Sequence, residues 1–239
     1  MQPLFSMSYS VTPIATIHTP FREKFAIPRQ PQLATAATGK IHLQPPFNSS
    51  QAFEGLEHCS HIWVLFLFHK AMPDLSQAPR LQVRPPRLGG NQKVGVFATR
   101  SNHRPNAIGQ SLLKLEQITG TCLTVSGVDL LNDTPIIDIK PYIPYADCVP
   151  TATNSLAAGA PALISVIWAE EARQQAEGHQ QRLQQPVIEL IQQCLSQDPK
   201  PAYQTPSPQR EYGVRLWDLD VKWHYPSTDT IRVLSVLSA

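Results

Sequence analysis

The most telling absence in this chain is of acid. From Leu75 to Leu115 there is no Asp or Glu, although seven of the 20 lysines and arginines fall there. Other absences each close off a class of function. Cys59, Cys122, Cys148 and Cys194 form no Cys-x-x-Cys pair, which argues against zinc-ribbon and thioredoxin-like chemistry. The longest strongly apolar run, Ile62 to Phe68, is far too short to span a bilayer. No Gly-x-Gly-x-x-Gly follows a strand pattern, so a dinucleotide or Rossmann methyltransferase domain is unsupported. Gly90 and Gly95 have phosphate-loop spacing, but Val96 and Phe97 stand where Lys and Ser or Thr are needed. There is no Gly-x-Ser-x-Gly, and His58-x-x-His61 has no third ligand in register, so neither a hydrolase nor a metal site is signalled. The first residues show no signal peptide, and the expected location is the cytoplasm.

What is present sits in and around the acid-free stretch. Arg84, Arg87, Lys93, Arg100, His103 and Arg104 are spaced by Pro85, Pro86, Gly89, Gly90, Gly95 and Pro105. Proline fixes φ and glycine permits positive φ, so these are shaped loops around one strand-like piece, Lys93 to Thr99. Shaped loops that hold cations without acidic neighbours suit an anionic ligand. A solvated basic face is the competing reading, and it has no need of fixed backbone angles. Net charge is only +2, so the basic character is local and can still steer an anion. Asp129, Asp133 and Asp138 are the main acidic counterpart, with Asp133 in a turn-forming Asn-Asp-Thr-Pro sequence.

The remaining pattern predicts a mainly β protein with an antiparallel barrel core and a small C-terminal α+β appendage. Strands are expected over 8–18, 61–68, 93–99, 110–118 and 121–129, and from the Asn132–Pro135 turn through Lys140. His61 to Phe68 is apolar on both faces and predicts a central buried strand. Asn48 to Leu56 predicts a short capped helix. Beyond a small-residue connection at 151–161, a strand at 162–168, helices at 169–178 and 186–197, and strands at 212–225 and 230–237 are expected. The division is residues 1–155 for the barrel and 156–239 for the appendage.

Several stretches resemble the TsaA-like (TrmO) family of tRNA (adenine-37-N6)-methyltransferases. They are Phe25 to Pro31, Gly55 to His58, Ser60 to Trp63, Phe66 to His69, Arg84 to Gly90, Gly95 to Ser101, Arg104 to Asn106 and Asp138 to Tyr142. The likeness covers about residues 9–147 and continues in Asp198 to Tyr203 and Tyr212 to Trp223. It implies a homodimeric enzyme that uses S-adenosylmethionine. The implied reaction methylates N6 of threonylcarbamoyladenosine beside the anticodon of threonine tRNA. It places cofactor contacts at Pro28, Arg29, Gln30, His69, Lys70, Arg100, Gln110, Leu130, Leu131, Asn132 and Asp133. Asn132-Asp133-Thr134 departs from the more usual Asp-Gly-Thr turn of the family. His69 and Asp133 are both candidates for a base, and the sequence does not choose. Arg84, Arg87 and Arg104 are candidates for gripping the anticodon stem-loop, with Arg104 the choice for the substrate's threonine carboxylate. A non-catalytic RNA-binding or cofactor-sensing module on the same barrel is the alternative, and a small-molecule methyltransferase a weaker one.

Overall fold

The computed structural model describes residues 9–73, 78, 81–85, 93–200 and 206–239. Its first part runs β1 (Ala15–His18), β2 (Thr38–Leu43), β3 (His61–Leu67), a two-residue ribbon of β4 (Gln82–Val83) and β5 (Val94–Gly95), β6 (Ile108–Thr119), β7 (Cys122–Ser126) and β8 (Thr134–Pro141). Six of these strands close into a barrel in the order β1-β2-β7-β6-β3-β8, every neighbouring pair antiparallel. Alternate residues point inward, so Ile17, Ile41, Ile62, Val64, Leu113, Leu123 and Ile136 are fully buried. Each such side chain contributes about 1.5–3 kcal/mol by leaving water. Opposite Phe66 on β3 stands Gly109 on β6, where a Cβ would come within 2.4 Å of the Phe66 ring. The inner corner of the barrel beneath the acid-free loops closes because that position has no side chain.

The strand at 61–68 is real, but it is not buried on both faces. Ile62, Val64 and Phe66 fill the barrel, while Trp63 and Leu65 are half-buried on its outer face and line a cleft. The apolar outer face therefore lines the cleft rather than a second core layer. Other expectations are corrected in detail. The first strand is shorter than 8–18, and β2 was not foreseen at all. The stretch 48–56 is two 3-10 turns, Ser50–Phe53 and Leu56–His58, hinged at Gly55 with φ 85°. Of 93–99, only Val94–Gly95 pairs as strand, and Val96–Ala98 is a 3-10 turn. The Thr99 hydroxyl donates to the Val96 carbonyl at 3.0 Å and competes with continued pairing.

The second part holds α1 (Pro144–Asp147), β9 (Ser165–Trp168), α2 (Glu170–Leu183), α3 (Val187–Ser196), β10 (Tyr212–Leu216), β11 (Leu219–Ser227) and β12 (Thr230–Ser238). The strand expected at 212–225 is a hairpin, broken at Trp217 with φ 53°. Strands β9 to β12 form one sheet in the order β10-β11-β12-β9, with β9 parallel to β12 and α2 packed on β12. The division at 155 falls in a 3-10 turn, Ser155–Ala157, yet the two parts share one continuous hydrophobic cluster. The seam is the loop after β1. Phe21, fully buried, bridges to Leu216, and the Trp217 amide donates to the Pro20 carbonyl at 2.7 Å. Phe25 stacks on Trp223 with ring centroids 6.1 Å apart, and the Gln197 side-chain amide donates to the Leu33 carbonyl at 3.1 Å. The loop that carries Pro28 to Gln30 is thus held from both sides.

Candidate functional site

A cleft of about 2520 Å³ opens against the outer faces of β3 and β6. It is larger than the hollow one small molecule needs, which leaves room for a cofactor and part of a macromolecule together. The loop 24–33 forms one wall, the residues after β3 another, and the loop 97–104 a third. Lys200, from the C-terminal part, also lines it, held by Asp198 at 2.8 Å and lying over the Tyr225 ring at 5.8 Å.

Most of the expected cofactor residues converge here. Pro28, Arg29, Gln30, His69, Lys70, Arg100, Gln110, Leu130 and Leu131 all line the cleft, although they come from five separate stretches. Pro28 is buried, and Gln30 opens the 3-10 turn Pro31–Leu33 in an extended conformation. Nη1 of Arg100 donates to the side-chain oxygen of Gln30, which joins two walls. The Lys70 carbonyl accepts from the Lys24 ammonium, and Lys70 itself is exposed.

Asn132 and Asp133 stand apart from that set. Asn132 is buried, its Oδ1 accepting from the Thr19 amide at 2.9 Å, and its own amide donates to the Phe21 carbonyl at 2.8 Å. It is a strut for the loop after β1. Asp133 occupies the left-handed region with φ 62°, where Asp is better tolerated than most residues. Its carboxylate meets His18 Nδ1 at 3.0 Å, with both side chains more than half exposed. Neither residue lines the cleft.

The two base candidates therefore differ. His69 lines the cleft, and burial first, then the Lys70 charge, holds its pKa below the ordinary imidazole value. Near neutral pH its ring is uncharged. The cleft also holds a group outside the expected set, Asp129. Among the described lining residues it is the one carboxylate, set among eight lysines and arginines. Its Oδ1 accepts from the Ser111 hydroxyl at 2.6 Å across 18 residues of sequence. Burial pushes its pKa up to about 6, opposed by the Ser111 hydrogen bond and by the charge of Arg100. The sequence signals are that Asp129 belongs to an acidic set and opens the Asp129–Asp133 turn. Its partner Ser111 carries no motif.

The arginines divide as well. Arg84 is exposed and lines the cleft. Arg104 spends Nη1 on the carbonyls of Thr99 at 2.9 Å and Val96 at 3.2 Å, and its guanidinium lies 5.9 Å from the Phe97 ring centre. It buckles the loop. Phe97 itself is 75% exposed at the cleft, an aromatic face that the strand expectation concealed. Arg80, Arg87, Leu88, Gly89, Gly90, Ala202 and Tyr203 lie outside the described residues. Among the described residues no group of three His, Cys, Asp or Glu is placed to hold a metal, and no helix is long and apolar enough to cross a membrane.

Comparison with known proteins bears on this geometry. Residues 16–148 match the family model for the tRNA-methyltransferase O N-terminal domain, and residues 161–239 match the TrmO C-terminal domain. The chain is 61% identical over 230 residues to RcsF of Pseudomonas aeruginosa, covering 96% of this chain and 98% of that one; its designation as an S-adenosylmethionine-dependent methyltransferase is itself provisional. It is 42% identical over 222 residues to the tRNA (adenine(37)-N6)-methyltransferase of Escherichia coli, covering 90% and 93% of the two chains. A crystal structure of TrmO from Pseudomonas aeruginosa superposes with a TM-score of 0.84 at 53% identity, over 99% of this chain and 100% of that one.

Proposed function

The chain belongs to the tRNA-methyltransferase O family, and on that premise we propose that it transfers a methyl group from S-adenosylmethionine to N6 of adenosine 37 in tRNA, with threonylcarbamoyladenosine in threonine tRNA as the substrate. The observation that carries the reading is the convergence of five sequence stretches on one cleft. That cleft fits the cofactor's chemistry. Leu65, Leu130 and Leu131 offer apolar walls, and Arg29 and Arg100 positive charge for its carboxylate. Pro28, Gln30, His69, Lys70 and Gln110 would complete the holding set, and Asn132 and Asp133 would brace the turn behind it. The bound cofactor supplies an electrophilic methyl on a sulfonium.

What the protein contributes is mostly position, since displacement needs donor and acceptor atoms in line. The Gln30–Arg100 bond and the Ser111–Asp129 bond fix opposing parts of the cleft. A carbamoyl group on N6 makes its N–H more acidic than in plain adenine, so a weak base is enough. The exposed Phe97 face suits stacking on an unpaired base of the anticodon loop. Arg84 and the flanking cations suit its phosphates, with Arg87 and Arg104 also candidates. Arg104 could still offer a second nitrogen to the threonine carboxylate. The working form is taken to be a homodimer.

The test uses anticodon stem-loops of threonine tRNA with and without the threonylcarbamoyl group, followed by nucleoside mass spectrometry. A gain of one methyl on the modified adenosine alone is expected. Methylation of unmodified adenosine, or of small molecules without RNA, would sink the substrate assignment. Over a salt series, Arg84→Ala is expected to lower the log–log slope of RNA binding by about 0.7–0.9 with cofactor affinity unchanged. An unchanged slope would remove Arg84 from the RNA surface.

A further inference from the structure

We propose, building on the methyl-transfer reading above, that Asp129 is the catalytic residue that takes the N6 proton of the substrate adenosine. Few groups in the cleft can do this near neutral pH. Apart from the lysines and arginines, and Cys194, whose thiol burial pushes up to about 12, the acid–base groups among the described lining residues are Asp129, His69 and His103. His103 sits exposed on the 97–104 loop, its backbone amide tied to the Ser101 hydroxyl at 3.2 Å.

The decision between Asp129 and His69 follows from charge. Taking a proton makes His69 cationic in a place where burial, Lys70 and Lys24 oppose it and outweigh the Asp133 charge and the Leu67 backbone hydrogen bond that favour it. Taking a proton makes Asp129 neutral and relieves the burial of its charge. The Asp129 carboxyl is also held in place. Leu130 and Leu131 follow it along the cleft wall, Ser111 beside Gln110 on β6 fixes its carboxyl, and the Arg100 that faces it is bonded to Gln30. The groups acting on it are thus Ser111 from β6, Arg100 from the loop and its own backbone amide. In the step, the N6–carbon bond forms as the sulfur–carbon bond breaks, and that bond's electron pair stays on sulfur. The N6 proton moves to an Asp129 oxygen and from there to water.

The experiment measures single-turnover methyl transfer at saturating cofactor and stem-loop, from about pH 5 to about pH 8. The wild-type rate is expected to rise with unit slope and level off above about pH 6. Asp129→Asn is expected to fall at least about 100-fold and to lose that acid limb. Its cofactor affinity by calorimetry should stay within about threefold. Ser111→Ala, which deletes a hydrogen bond that favours the carboxylate, should move the limb to higher pH. Independently of turnover, carboxyl NMR of the protein without cofactor should show a group titrating near pH 6 that Asp129→Asn removes. Asp129→Asn with a near-normal rate, or a Ser111→Ala limb that does not move, overturns the assignment. So does a mutant that loses cofactor affinity but keeps its saturated rate. A wild-type chain that transfers no methyl overturns instead the reading beneath it.

Discussion

Phe21→Ala is expected to destabilise the protein by about 3–5 kcal/mol, a cost typical of emptying a fully buried phenylalanine site. That is a large share of the roughly 5–15 kcal/mol that holds a protein folded. Thermal midpoints should fall by about 2–4 °C for each kcal/mol. The ring lies where the loop after β1 meets Leu216 of β10, and the backbone carbonyl beside it accepts from Asn132. The loss should therefore be felt in both parts of the chain at once. Far-ultraviolet and tryptophan signals should follow a single transition in the wild type, and the same single transition, lowered, in the mutant. Two separated wild-type transitions would show that the barrel and the appendage do not share a core, and would refute this account of Phe21.

Arg100→Ala is expected to weaken cofactor binding by about tenfold or more, the loss of a charge-assisted hydrogen bond worth about 1.5 kcal/mol. Arg100 is exposed, so its removal should leave the thermal midpoint nearly unchanged. What goes is the tie between the 97–104 loop and Gln30. A double-mutant cycle with Gln30→Ala should show the two losses to be non-additive. There is a second consequence with a definite sign. Arg100 lowers the pKa of Asp129, so its loss should push that carboxyl above about 6 and carry the acid limb of the rate profile upward with it. Unaltered cofactor affinity in a folded Arg100→Ala protein would take Arg100 out of the site.

Local pattern made the barrel legible where strands alternate and turns are marked. β6 and β7 are found where they are expected because apolar residues alternate on either side of Gly120, which adopts φ 57°, although β7 ends at Ser126 rather than at 129. β2 was hidden because Gly39 and the small residues before it look like loop, although Ile41 and Leu43 point into the core. The 93–99 stretch has strand composition, but its course is set by distant or side-chain partners: Thr99 bonding back to Val96, and Arg104 reaching the same carbonyl. Such competition does not show in periodicity. The family likeness supplies an expected cofactor set, and nine of its eleven positions line the cleft. Asp129 is legible as one of an acidic set, but its place at the cleft is not, because only Ser111 on β6, 18 residues away in sequence, gives its carboxyl a fixed position.

The seam between the two parts also says something about timing. Pro28, Arg29 and Gln30 are made well before the residues that seat their loop, Leu216, Trp217 and Trp223. Chains fold from the N-terminal end as they leave the ribosome. A growing chain can therefore pair its barrel strands long before it owns a finished seat for the methyl donor. The loop that carries Pro28 to Gln30 is therefore seated only once the β10–β11 hairpin has been made.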